Sequence, residues 1–324
     1  MVKTVKKDDF YRQMFKLAIP IIIQNLLSAA VNSSDVIMLN YVGQSAISAV
    51  SLAANYSNIL FMVYYGLGTG ASLLCAQYFG KKNMQAIHAV EGIALRFSLA
   101  ISALVALAAF TIPQRMLLLF TSDQELIAIG SSYIRIMGIT YLCWGVTEIY
   151  LAILRSIGRV TISMALNMLA FGLNILLNAV FIFGLFGAPK LGVTGVAIAT
   201  ASSRLIQLIA CVIVSLLSKD VKLNPIYMFI RSKTLLNDFI HLSLPALGND
   251  LSWSVAFSMY SVIMGHLGSD AVAANSIASI VKNLAGCFCM GLGNGGGIMS
   301  GLVLLAFSPL ILRAANLSVT AEGY

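Results

Sequence analysis

Long apolar runs broken by short polar connections set the pattern of this chain. Eight runs of roughly 20 residues or more fall near residues 15–40, 46–79, 86–112, 127–154, 160–185, 191–217, 237–265 and 270–299, with a shorter one at 300–317. A helix needs roughly 20 apolar residues to cross a ~30 Å hydrocarbon core, about twice the length of a barrel strand, and it satisfies its own backbone hydrogen bonds there. The pattern predicts an all-α polytopic membrane protein. The opening "MVKTVKKDDFYRQ" is basic and polar, and no short apolar core with a small-residue cleavage site follows it. The first run is therefore expected to be a retained span rather than a signal peptide.

Polar residues inside the runs are the next signal. Asp35 interrupts "LAIPIIIQNLLSAAVNSSDVIML", residues 17–39. At 100° per residue, Asn25, Ser28, Asn32 and Asp35 share an arc of about 80°, which places them on one helix face turned into the bundle. A charge at mid-membrane costs roughly 2.5–3.5 kcal/mol on insertion scales and commonly marks an ion or proton path. The structural alternative is a pair with Arg135, at similar outer depth in the fourth run. Asn167, Asn174 and Asn178 fall within about 40° of one another. Amide carbonyls are hard oxygen ligands for cations such as Na⁺, and the same stripe serves equally as glue between helices. Ser51, Asn55 and Asn58 form a further shared face, again glue or cleft lining. Asp250 and Lys282 lie at matching depth in adjacent antiparallel runs, which predicts a structural ion pair, and Glu148 has Arg96 or Arg155 within reach as a partner.

The chain also repeats itself. An offset of 225 residues lays "LAIP" (17–20) on "LSLP" (242–245), brings "YVGQSAISAV" (41–50) near "HLGSDAVAAN" (266–275), and lays "GLGTG" (66–70) on "GLGNG" (291–295). Six runs precede the second copy, an even number, so both halves enter the membrane from the same side. They form a parallel repeat about an axis along the membrane normal. Residues 1–217 read as a complete six-helix lobe, 218–236 as a cytoplasmic linker marked by Asn224, Pro225 and several Lys and Arg, and 237–324 as a partial second lobe of two spans plus a ninth-span fragment. The register then fails. Pro113 calls for a counterpart at 338, whereas the candidate is Pro309, 338 − 309 = 29 residues early. The expectation is a chain that lacks a basic loop with the start of its ninth span, and three further spans.

Composition narrows the function. Of 324 residues 59% are hydrophobic and 10% charged, against about a quarter charged in ordinary globular domains. The net charge of +8 would suit nucleic acid if its carriers formed one face. They do not: Lys3, Lys6, Lys7, Arg12, Lys16, Lys81, Lys82, Arg155, Arg159, Lys219, Lys222, Arg231 and Lys233 occupy the N-terminus and alternate connections, while the intervening ones hold only Arg115 and Lys190. That asymmetry places the N-terminus in the cytoplasm and makes a nucleic-acid partner unnecessary. Cys75, Cys143, Cys211, Cys287 and Cys289 lie in or beside apolar runs without CxxC spacing and read as small core hydrophobes. His88, His241 and His266 sit at run ends, and no GxSxG, Walker A or HExxH pattern occurs, so an enzyme is not expected.

The Pro20 to Asp35 interval, "YVG…AISAV", "GLGTGAS", "AILRSIG" (152–158) and "LNILLNAVFIFG" (173–184) resemble the multidrug and toxic compound extrusion (MATE) family of secondary transporters, over essentially the whole chain. The resemblance implies two six-helix bundles facing each other across a cleft, in a multi-pass protein of the plasma membrane. It implies antiport of cationic organic compounds against Na⁺ or H⁺ by alternating access, with membrane lipid as surroundings and no organic cofactor. Asp35 matches the family's first-helix carboxylate, Asn174 and Asn178 a pair on the fifth helix, and Thr200 a sixth-helix hydroxyl, a set that could hold Na⁺. Some members carry Asp where this chain has Asn178, which leaves coupling more dependent on Asp35. Met and aromatic residues (14 Met, 16 Phe, 12 Tyr) suit a promiscuous pocket for organic cations. A monomer is expected. A channel, a lipid-linked saccharide flippase of similar architecture, or an inactive transporter fragment are the alternatives; several cationic residues in the cleft would favour the flippase.

Overall fold

A computed structural model describes residues 19–28, 30–31, 34, 38–39, 41–118, 123–187, 189–218, 221–230 and 232–266, together with single positions at 286, 289 and 293. Asn32, Asp35 and Lys282 lie outside the described residues, and with them the proposed Asp250–Lys282 pair. The regular elements among the described residues are helical. In chain order they are α1 (Ile19–Ser28), α2 (Gln44–Gly80), α3 (Met84–Thr111), the short α4 (Pro113–Leu118), α5 (Gln124–Ser156), α6 (Val160–Phe183), α7 (Gly192–Leu217) and α8 (Lys233–His266). Helices α2, α3, α5, α6 and α7 are long and apolar enough to cross a membrane, and their ends fall within a few residues of the predicted runs.

Helices α6 and α7 carry faces inverted relative to a soluble protein. On α7, Leu205, Ile209, Ile213 and Leu216 are exposed, whereas Ser203, Gln207, Cys211 and Ser215 are buried. Spacings of three and four residues put each set on one stripe. Helix α6 does the same, burying Ser163, Asn167, Asn174 and Asn178 while Met168, Leu169 and Leu176 face outward. Outward Leu and Ile meet hydrocarbon in a bilayer, and on these two helices the groups that need hydrogen-bond partners are turned inward.

Small residues and buried hydroxyls hold the helices together. Gly66 and Gly70 lie one turn apart on α2 against α8, where an added Cβ would stand 3.0 Å from Leu247 Cα and 2.9 Å from Ser243 Cα. Gly68 turns to α5, where its Cβ would meet that of Ala152 at 3.1 Å. The "GLGTG" run is thus a two-sided packing surface. Deeper in, Tyr64 Oη meets Ser102 Oγ at 2.6 Å and donates to Tyr141 O at 2.9 Å, tying α2 to α3 and α5. Ser98 Oγ donates to Gly145 O at 2.8 Å between α3 and α5. Local signals set the ends: Asn83 caps α3 by accepting from Ala86 N at 3.1 Å, Asp123 caps α5, and Gly184 ends α6 in the left-handed region at φ 70°. Cys75, Cys143 and Cys211 are buried and unpaired, while Cys289 is exposed.

The segment expected as a linker packs onto the first six runs. Its 3₁₀ turn, Pro225–Phe229, lies on α3, with the Tyr227 ring stacked on His88 at 4.4 Å and Arg96 Nη2 donating to Ile230 O at 3.3 Å. Gly92 leaves room for the Tyr227 carbonyl. Helix α8 begins at Lys233, ahead of the apolar run that predicted it, because helical structure continues through the polar turn "KTLLND".

Candidate functional site

A cavity of about 910 Å³ opens among α1, α2, α5, α6 and α7. Helix α1 contributes Gln24, Asn25 and Ser28; α2 contributes Asn58, Phe61 and Tyr65; α5 contributes Trp144, Glu148 and Arg155. Asn167 and Asn174 enter from α6, and Thr200, Ser203 and Arg204 from α7. Asn25 and Ser28 therefore face inward, as the arc through Asn25, Ser28, Asn32 and Asp35 requires.

Two polar systems line this cavity. In the first, Asn178 Nδ2 donates to Asn174 Oδ1 at 3.2 Å, and Asn174 Nδ2 donates to Thr200 Oγ1 at 3.1 Å across the α6–α7 contact. Asn178 is fully buried behind Asn174, which is 6% exposed. A carbonyl oxygen has two lone pairs and a hydroxyl oxygen two, so Asn174 Oδ1 and Thr200 Oγ1 each keep acceptor capacity toward the cavity. Neutral oxygens of this kind can replace part of a cation's water shell when a carboxylate joins them.

The second system carries charge. Arg155 Nη2 pairs with Glu148 Oε1 at 3.1 Å, and Arg155 Nη1 donates to Ser163 Oγ at 3.3 Å. Arg204 Nη1 donates to Gln207 Oε1 at 3.0 Å, Gln207 Nε2 donates to Asn167 Oδ1 at 2.8 Å, and the Arg204 guanidinium lies 4.7 Å from the Trp144 ring centroid. Gln207 is fully buried and Asn167 is 3% exposed.

The structure thus brings Asn174, Asn178 and Thr200 together and gives Glu148 its partner in Arg155. Asn167 acts as glue and as lining. On α2 the expectation divides: Asn58 lines the cavity, whereas Asn55 is half-buried outside the lining set. The two are about 60° apart around the helix, and the cavity meets only the Asn58 side. Arg135 is exposed, turned away from the bundle. Asp250 is half-buried on α8.

Three side chains were not anticipated. Arg204 and Gln207 interrupt "GVAIATASSRLIQLIACVIV" as Asp35 interrupts the first run, so their signal was available. Glu91 is fully buried in α3, away from the cavity, and neither carboxylate oxygen has a hydrogen-bond partner among the described residues.

Residues 20–180 match the family model MatE. Over that stretch, just under half of the chain, the sequence is MatE-like. Members of this family are transporters rather than enzymes. Among curated relatives, the chain is 27% identical over 271 residues to "Uncharacterized transporter YisQ" of Bacillus subtilis (strain 168), covering 82% of this chain and 59% of that protein. It is 24% identical over 291 residues to "Multidrug export protein MepA" of Staphylococcus aureus (strain MRSA252), covering 90% of this chain and 64% of the relative. A solved multidrug resistance MATE family transporter of the MOP superfamily, in an outward-facing conformation, superposes with a TM-score of 0.82 at 22% identity, covering 94% of this chain and 67% of the other. The fold is that of MATE transporters. The chain spans about three fifths of the length of the curated relatives it matches.

Proposed function

We propose that the chain works in a secondary antiporter of the plasma membrane that exports amphipathic organic compounds by alternating access, driven by entry of Na⁺ or H⁺, with its N-terminus in the cytoplasm. The observation that carries this reading is the Asn178–Asn174–Thr200 string, set on facing helices at the wall of a large, mostly apolar cavity. Asp35, by its place on the arc with Asn25 and Ser28, supplies the carboxylate, and Asn174, Asn178 and Thr200 supply neutral donors to the coupling ion. Na⁺ needs these oxygens directly, whereas a proton needs Asp35 and uses the amides to orient it.

Ion and substrate act through the orientation of the cleft. If the ion favours one orientation and the organic compound the other, each weakens the binding of its counterpart by the same factor. The relatives named as multidrug export proteins support this reading, as does the apolar and aromatic lining that accommodates varied ligands without fixed geometry.

Dye efflux from vesicles under imposed Na⁺ and H⁺ gradients tests it. Efflux driven by one of the gradients, and abolished by Asp35→Asn, is the expected result. Gradient-driven efflux that survives Asp35→Asn would overturn the assigned role.

A further inference from the structure

Arg204 occupies the middle of the 26-residue α7 and lines the cavity. A guanidinium at that depth is costly unless something compensates it. Its ring neighbour Trp144 covers one face, and Gln207 takes a single N–H. Arg carries five N–H donors in a rigid fork, so most of the donor edge is uncommitted by these contacts. No carboxylate of a described residue lies within ion-pair distance of it. Glu148, the carboxylate in electrostatic reach, is already paired with Arg155. Two guanidiniums therefore share one carboxylate on the described wall. In the coupling scheme above, Asp35 is compensated by its own ion and does not cancel this excess.

The position of Arg204 is also fixed. Gln207, fully buried, is held by Asn167, and the Trp144 ring stacks on Phe61 at 5.6 Å. A preorganised guanidinium beside an aromatic wall matches a ligand with one planar anionic group and an apolar body.

We infer that the cavity binds amphiphiles bearing a single carboxylate, sulfonate or phosphate, with Arg204 as the head-group receptor and Trp144 and Phe61 as the platform for the body. This names the charge class of the substrate and rests on the export reading, and it departs from the organic cations that the family resemblance implies. The acid group can belong to a soluble organic anion or to an anionic lipid.

The test uses two probes with one aromatic body and opposite charge, 1-naphthoate and 1-naphthylmethylammonium, titrated into the full chain in nanodiscs of neutral phosphatidylcholine, with empty nanodiscs subtracted. Wild type should bind naphthoate at least tenfold tighter than the ammonium probe. Arg204→Met should erase that preference, and Arg204→Lys should keep a reduced one. Equal or cation-preferring binding by wild type overturns the proposal, as does a preference unchanged in Arg204→Met. The wild-type comparison decides even if Arg204→Met fails to fold. Adding phosphatidylglycerol to the nanodisc separates the sources: Arg204-dependent displacement of naphthoate supports a lipid acid group, and its absence beside a retained naphthoate preference supports a soluble one. Binding is read without any ion gradient, so this result stands apart from the outcome of the efflux test.

Discussion

Asn174 on α6 donates its side-chain amide to Thr200 on α7 at 3.1 Å, joining the polar faces of two neighbouring helices at the edge of the cavity. The bond does two things at once. It fixes the helix pair, and it orients both oxygens that the proposed coupling site needs.

A double-mutant cycle measures the structural part. Interhelical hydrogen bonds in membranes average about 0.6 kcal/mol and reach about 1.7 kcal/mol. Asn174→Ala, Thr200→Val and the double variant should show a coupling energy of about 0.5–1.5 kcal/mol in denaturant unfolding from mixed micelles. Additive single effects would mean the two side chains do not hold each other.

Glu148 is the counter-charge for Arg155, with side chains 11% and 17% exposed respectively. Glu148→Gln leaves Arg155 and Arg204 facing the cavity without it. The expected cost is about 2 kcal/mol, below the ~3–5 kcal/mol of a fully buried broken pair because both ends reach the cavity. Thermal unfolding should show Glu148→Gln/Arg155→Gln less destabilised than Glu148→Gln alone; the opposite order would argue against the pairing.

The α2–α8 contact depends on residues without a Cβ. Gly66→Ala and Gly70→Ala place a methyl group against Leu247 and Ser243 backbone, and each should destabilise by about 1–3 kcal/mol as an overpacked contact. Gly172→Ala on α6 meets nothing within 4 Å and should be neutral or gain up to ~1 kcal/mol from helix propensity. Melting temperatures of the three variants distinguish packing from propensity.

Most of the helical framework was legible because apolar runs of this length have few structural solutions. The Asn167–Asn174–Asn178 stripe was legible for a related reason, since helical periodicity makes polar residues seven and four apart share a face. What stayed hidden depends on three-dimensional neighbours. Arg204 and Glu91 are visible as single charges inside apolar runs, yet nothing in their flanks says which is cavity-lining and which is enclosed. Asn55 and Asn58 share an approximate face, yet the cavity edge falls between them. The early start of α8 at Lys233 was missed because a polar helical turn carries no apolar signal.

Glu91 makes a prediction of its own. It is 0% exposed, and neither oxygen has a partner among the described residues. Burying an uncompensated carboxylate is unfavourable, so Glu91→Gln should stabilise the protein by ~1 kcal/mol and raise its melting temperature by a few degrees. Destabilisation instead would show that the carboxylate is held by hydrogen bonds.

The proposed coupling site consists of Asn174, Asn178 and Thr200 together with Asp35. Calorimetric titration of the purified chain with Na⁺ at fixed pH, and with protons at fixed Na⁺, tests it most directly. Wild type should bind one of the two ions, Asn174→Ala and Asp35→Asn should each weaken that binding at least tenfold, and Arg135→Gln, on the exposed face of α5, should leave it unchanged. Ion binding undiminished in Asn174→Ala and Asp35→Asn would mean that these side chains do not hold the ion.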